Sequence, residues 1–247
     1  MSESAIAADG ITRSYGRGPV LRGATLAVAP GTGVAILGPN GSGKSTLLRV
    51  LAASLRPSEG RVRVHGRDPF ADPDARRAIG FVGHDPMLYG GLSATENLRL
   101  FAAMYGVVDA GARAAWACDL VGLRRTDEPV RALSRGLLAR AAFARALVHR
   151  PAVLLLDEAL GGLDLEAAAR VTAFLGEFRG QGGAVVLATH HPEDALRIAD
   201  SAQVLARGRL GTPQALRGMD AAGVEAWYHR AARAEAPRCF SDSGRPT

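Results

Sequence analysis

The stretch Gly38-Pro39-Asn40-Gly41-Ser42-Gly43-Lys44-Ser45-Thr46 fits the pattern G-x-x-x-x-G-K-[ST] at every fixed position. An apolar run, Val34-Ala35-Ile36-Leu37, precedes it, and a helical pattern, Thr46-Leu47-Leu48-Arg49-Val50-Leu51, follows. Strand, glycine-rich loop and helix in that order form a cradle for phosphates. The glycines let consecutive backbone N–H groups point inward, and the helix offers its positive N-terminus. Lys44 adds a cation for the β- and γ-phosphates, and Ser45 adds a hydroxyl for Mg²⁺. The implied ligand is a nucleoside triphosphate.

A second constellation, Val153-Leu154-Leu155-Leu156-Asp157-Glu158, is an apolar strand that delivers two carboxylates at its C-terminal end. In a doubly wound sheet ligands sit at that end, so this strand is expected beside the phosphate-loop strand, with Asp157 aimed at Mg²⁺ through water. Glu158 is then placed to polarise an attacking water near the γ-phosphate.

Around these motifs the chain alternates in type. Strands are expected at Ile6 to Arg13, Val20 to Ala29, Arg61 to Gly66, Ala78 to Val82, Val153 to Asp157, Ala184 to Thr189 and Ser201 to Ala206. Helices are expected at about 44 to 54, from Leu165 to Arg179 and from Pro192, and Pro57 to Gly60 reads as a turn. Helical periodicity dominates from Ala94 to Val148, with breaks at Gly106 and around Asp127 to Leu133. Continuous apolar strands alternating with helices predict an α/β fold with a mainly parallel core sheet, an N-terminal antiparallel β region and a helical subdomain.

With 247 residues, 47% of them hydrophobic, the chain is long enough for one α/β core or two closely packed lobes. Its two cysteines, Cys118 and Cys239, lie far apart and outside any metal-ligand spacing, which fits a reducing cytosol better than a disulfide framework. No run of about 18 apolar residues occurs, and Met1-Ser2-Glu3-Ser4-Ala5 lacks the pattern of a secretory signal, so neither a membrane span nor export is expected. The net charge of +6 rests on arginines scattered from Arg13 to Arg245, which is compatible with nucleic acid or an anionic membrane surface but selects neither and reads first as a solvated basic surface; no nucleic-acid partner is the expected reading.

The phrase Leu133-Ser134-Arg135-Gly136-Leu137 opens an Ala- and Arg-rich helix, and read alone it is a capped helix N-terminus. Taken with the two nucleotide motifs and their order, it resembles the nucleotide-binding subunit of ATP-binding-cassette (ABC) transporters. The resemblance runs from about Ile6 to Leu210. It implies a P-loop ATPase whose ligands are ATP and Mg²⁺, with Ser45, Asp157 and His84 toward the metal. It also implies that Tyr15 stacks on adenine, that Asp164 in Gly162-Leu163-Asp164 couples two sites across a dimer, and that His190 is the switch histidine at the γ-phosphate. His191 is the adjacent rival, and the register of strand, Thr189 and His190 favours the first. Two copies, or one copy and a second ABC ATPase, would enclose ATP, so that Ser134 and Gly136 of one chain meet the γ-phosphate held by Lys44 of the other.

Two departures mark this chain. Arg135 and Leu137 replace a glycine and the glutamine of the usual Leu-Ser-Gly-Gly-Gln, and Gly83-His84 stands where most members carry Pro-Gln. The Gly-His phrase is similar to the cytochrome c maturation branch, the ATPase of the haem exporter. Other exporters (drug, lipid or polysaccharide) are the alternative, followed by a soluble ABC-type ATPase or a non-hydrolysing nucleotide-binding module. The resemblance further implies a peripheral location on the cytoplasmic face of the membrane, with permease subunits contacting residues 84–133. The expected division is an ATP-binding domain over 1–215, its helical subdomain at about 88–150, and a C-terminal helix and frayed tail over 216–247. In that tail, Val224 to Ala234 is read as an amphipathic helix with Trp227 and Tyr228 packed on the domain.

Overall fold

Four uninterrupted apolar runs become strands buried on both faces, and their alternation decides what covers each face. A computed structural model describes residues 4–16, 18–123 and 128–234. The chain opens with β1 (Ile6–Tyr15) and β2 (Gly18–Val28), followed by β3 (Gly33–Leu37), α1 (Lys44–Leu51), β4 (Glu59–Val64), α2 (Pro73–Arg77) and β5 (Ile79–Val82). Three helices come next, α3 (Ala94–Met104), α4 (Ala110–Leu120) and α5 (Arg135–Leu147), with a short 3-10 turn at Val130–Ala132. The remainder is β6 (Val153–Asp157), α6 (Leu165–Gly180), β7 (Ala184–Thr189), α7 (Pro192–Ile198), β8 (Ser201–Ala206), β9 (Arg209–Leu210), β10 (Gln214–Ala215) and α8 (Ala221–Ala234).

The strands β8, β3, β7, β6 and β5 pair in parallel in that order; β10 and β9 join β8 antiparallel. A separate antiparallel sheet, β2-β1-β4, alternates buried and exposed residues: Val62 and Val64 point inward while Arg61 and Arg63 face solvent. The turn expected at 57–60 is shorter than that, because Glu59 and Gly60 already belong to β4.

Side-chain alternation splits the central sheet between two cores. Val153, Leu155, Val186 and Ala188 pack with α1 and the antiparallel sheet; Leu154, Leu156, Val185 and Leu187 pack with the helices between β5 and β6. A third cluster joins Ala35 and Leu37 to Val224, with Trp227 and Tyr228 of α8 laid against it. That helix starts three residues before the expected Val224.

The expected neighbour of the phosphate-loop strand is wrong in one respect. Strand β7 stands between β3 and β6, so β6 is two places from the phosphate loop. Local apolar runs do not encode which parallel strands pair, and the intervening strand proves to matter for the site.

The arginines are also not all solvated. Arg145 donates to Phe81 O at 2.6 Å, Arg140 to Gly122 O at 2.7 Å, and Arg113 to Leu147 O at 2.7 Å and Val148 O at 3.1 Å. Each guanidinium ties two segments of the chain together through main-chain carbonyls distant in sequence. Cys118 is buried in the helical core; Cys239 and the frayed end expected from Ala236 lie outside the described residues.

Candidate functional site

The phosphate loop is held by close backbone approach on one side and by a left-handed turn on the other. A Cβ on Gly38 would stand 2.4 Å from Leu205 O, so only glycine lets β3 leave the sheet against β8. Gly43, at φ 107, is the N-cap of α1 and directs the chain into the helix. The hairpin of β1 and β2 touches this loop, since Val20 and Leu21 lie within 3.3 Å of where a Gly43 side chain would begin. At the tip of that hairpin, Tyr15 is exposed with the Arg13 guanidinium 4.9 Å over its ring.

Lys44 is buried, and its Nζ donates to Gly38 O at 2.7 Å and Pro39 O at 3.3 Å across the mouth of the loop. Its ammonium lies 3.7 Å from Glu158 Oε1. Among the described residues, Ser42 Oγ is buried without a hydrogen-bond partner.

Strand β6 ends on Asp157, and Glu158 follows at φ 53, a left-handed conformation unusual for a residue with a side chain. Its N–H donates to Ala188 O of β7 at 2.9 Å, which fixes that turn. Because β7 lies next to β6, its end brings two polar side chains to Glu158. His190 Nδ1 is 3.0 Å from both carboxylate oxygens, Thr189 Oγ1 is 3.5 Å from Oε2, and Thr189 Oγ1 accepts from His191 N at 3.0 Å. Burial raises the pKa of the Asp157 carboxyl, as does the neighbouring Glu158, while the Ser45 hydroxyl, Lys44 and Arg49 act in the opposite direction. Among the described residues Asp157 Oδ1 is buried with no hydrogen-bond partner. A buried carboxylate that the Ser45 hydroxyl hydrogen-bonds, with one oxygen left unpaired, suits a hard divalent cation such as Mg²⁺.

Asn40, His84, Arg135, Asp157, Glu158 and His190 line a single groove of about 620 Å³ between the phosphate loop and the helical region. Ser134, Gly136, Asp164 and Tyr15 are not among its lining residues. Ser134 instead caps α5, its Oγ accepting from Leu137 N at 3.3 Å. Asp164 caps α6 by accepting from Ala167 N at 3.0 Å, and it forms an ion pair with Arg140 of α5. Arg140 is the contributor that motif reading passed over, since an arginine of one helix reaching the cap of another carries no local pattern.

A glycine loop feeding a buried lysine, an Asp-Glu pair on a second parallel strand and a Thr-His end on the strand between them define a P-loop nucleotide-binding domain of the ABC ATPase fold. The family model described as "ABC transporter" matches residues 21–161, and the chain belongs to that family. Among its relatives, a cytochrome c biogenesis ATP-binding export protein, CcmA, of Cupriavidus necator is 41% identical over 75% of this chain and 82% of the relative. The daunorubicin resistance ATP-binding protein DrrA3 of Streptomyces coeruleorubidus is 38% identical over 85% of this chain and 68% of its own length. A lipoprotein-releasing system ATP-binding protein, LolD 1, of Rhodopirellula baltica is 39% identical over 78% and 90%.

Solved structures agree. An ATP-binding subunit of an ABC transporter superposes with a TM-score of 0.83 at 26% identity, covering 92% of this chain and all (100%) of that one. The cassette MJ0796, as a post-hydrolysis dimer bound to ADP and Pi, superposes with a TM-score of 0.78 at 26% identity over 87% of this chain and 100% of its own.

Proposed function

We propose that this chain is the ATP-binding and ATP-hydrolysing subunit of an ABC exporter, working as a dimer on a membrane partner. The observation that carries the reading is the joining of Glu158, His190 and Asp157 to the phosphate loop in one groove. In it the γ-phosphate of ATP would displace Lys44 from the carbonyls of Gly38 and Pro39. Glu158, released from the ammonium, accepts the proton of the attacking water, and His190 holds its carboxylate in register. Ser45 and Asp157, with His84 nearby, would hold Mg²⁺, which would supply charge neutralisation on the phosphates.

Dimerisation is supported by the form of MJ0796 and by the geometry of α5. Ser134 and Gly136 stand at the N-terminus of that helix, outside their own chain's groove, where a second copy's nucleotide can meet them. Tyr15, at the hairpin tip beside the phosphate loop, is the adenine platform, and Asp164 links the two sites. Permease contact is assigned to residues 84–133, where Met87, Tyr89, Met104 and Val108 are exposed. Among the described residues no helix is long and apolar enough to cross a membrane, which fits a peripheral subunit on the cytoplasmic face.

As to cargo, the Gly83-His84 phrase favours the haem exporter of cytochrome c maturation. Relatives of nearly equal identity are named for daunorubicin resistance and for lipoprotein release, so that phrase alone supports the choice. The test is phosphate release from ATP by purified protein, followed by co-purification of membrane subunits with the full chain. Absence of ATP turnover, alone and with its membrane partner, would reject the reading. A haem-free membrane partner would reject its finer part.

A further inference from the structure

The end of the sheet opposite the nucleotide groove carries a second cleft that the ATPase reading does not use. It opens where β6 and β7 begin, beside Ala152 and Gly183, whereas Asp157 and Thr189 stand at the other end of the same strands. Its volume is about 380 Å³, within the range of small-molecule pockets.

The walls are aromatic and held in place. Trp116 of α4 meets Phe174 of α6 edge-on at 6.0 Å, and Phe174 stacks on Phe178 at 5.9 Å. Phe178 lies flat on the main chain at Gly183, where a Cβ would come within 2.4 Å of its ring. Trp116 remains 36% exposed, a large apolar surface left facing solvent.

The charge is one-sided. Arg113 and Arg150 both line the cleft, and no aspartate or glutamate is among the lining residues. The Arg113 guanidinium stacks 3.6 Å over Trp116 and uses Nε and Nη2 on the carbonyls that end α5, so its orientation is fixed while Nη1 takes no part in those bonds. Arg150 is exposed, at φ 56, on the turn leaving the same helix. Burial, and then the charge of Arg150, push the pKa of Arg113 down to about 10, as expected of two cations sharing a site without an anion.

We propose that this cleft binds a small amphiphilic carboxylate, with an aryl or short acyl group in the trough of Trp116, Phe174 and Phe178 and its carboxylate on Arg113 and Arg150. The aromatic walls select a flat or extended apolar body, and a pre-oriented guanidinium selects a planar anion. Lying at the far end of β6 and β7 from Glu158 and His190, it is a ligand site distinct from the nucleotide groove.

Trp116 and Trp227 are the only tryptophans, so Trp227→Phe leaves Trp116 as the sole reporter. In that background 4-phenylbutanoate, titrated under tryptophan-selective excitation, is expected to change Trp116 emission saturably. The variant Arg150→Ala should weaken binding about tenfold, the loss of one charge-assisted contact, and the neutral analogue 4-phenylbutanamide, which loses the charge on both contacts, should weaken it by more. Saturating ATP should leave the titration unchanged. The proposal is overturned by a non-saturable response, by equal binding of the amide, by unchanged affinity in Arg150→Ala, or by displacement with ATP. It is equally overturned if an acidic-aromatic peptide binds where phenylbutanoate does not, which would mark a protein partner instead. Arg150 is exposed and uncommitted to the core, so its substitution leaves the fold intact.

Discussion

His190 Nδ1 stands 3.0 Å from both carboxylate oxygens of Glu158, and the strand that carries it is the one inserted between the phosphate-loop strand and the Asp157 strand. The parallel order therefore does chemical service: it places a donor symmetrically under the carboxylate and leaves the opposite side of Glu158 toward Lys44.

Glu158→Gln keeps the side-chain shape and removes the proton acceptor. ATP hydrolysis should fall by about 10²–10⁴ while ATP binding persists. Phosphate release and nucleotide binding, measured on the same preparation, check this. His190→Ala should lower turnover in the same direction by freeing the carboxylate, and a wild-type rate in either variant would remove that residue from the mechanism.

Lys44 is the only lysine in the sequence. Its removal in Lys44→Ala should weaken ATP binding by about 1.5–3 kcal/mol for each charge-assisted bond lost, roughly ten- to a hundredfold. The same singularity gives a direct readout. Reductive ¹³C-methylation labels Lys44 and the N-terminus alone, and the lysine resonance should shift on adding ATP and Mg²⁺ as Nζ leaves the carbonyls of Gly38 and Pro39. A resonance that does not move would contradict the proposed displacement.

Residues 38–46 were legible in the sequence because their requirements are local: glycines for backbone direction, then a lysine and a hydroxyl at fixed spacing. The buried strands were legible for the same reason, as continuous apolar runs. Strand order was not, since nothing in Val153 to Leu156 says that β7 comes between it and β3. The roles of Arg113, Arg140 and Arg145 were hidden because their partners are carbonyls 18 to 64 residues away, and a carbonyl has no sequence signature. The helix α2, with Asp72 as its cap, and the short strands β9 and β10 were missed because a five-residue helix and two-residue strands are too brief for periodicity to register. The family resemblance named Ser134, Gly136 and Asp164, which lie outside the groove, Ser134 and Asp164 as helix caps; their role toward a second chain belongs to the proposed function.

Gly38→Ala tests the approach of the phosphate loop to β8. The new methyl group would meet Leu205 O at 2.4 Å and the Ser42 hydroxyl at 2.8 Å, one of them main chain that cannot turn aside. Overpacking of this kind costs about 1–3 kcal/mol. The urea midpoint should fall accordingly, and ATP affinity should fall with it because Gly38 O is also the resting partner of Lys44. Unchanged stability would show that β3 and β8 can separate at this point.

His149 sets a pH limit on the fold that is independent of the nucleotide site. Its ring is buried, stacked on Tyr105 at a centroid distance of 4.1 Å, and Nε2 lies 2.9 Å from Ile79 O, which only an N–H can satisfy. Burial foremost, with repulsion from Arg145, Arg77 and Arg113 outweighed only in part by the Ile79 carbonyl, pushes its pKa down to about 4 from an ordinary 6.5. A depressed histidine pKa means that the unfolded chain binds a proton between pH 6.5 and 4 that the folded chain does not. Stability is therefore full above pH 6.5 and declines as pH falls through this window, by about 3 kcal/mol at most, with no further loss from this residue below pH 4. Replacing the imidazole in His149→Gln retains an N–H for Ile79 O and removes the titration. Urea unfolding between pH 7 and pH 4 should then show a shallower decline in the variant than in the parent, the two curves converging toward acid. Parallel curves across the window would mean that His149 titrates alike in the folded and unfolded chains.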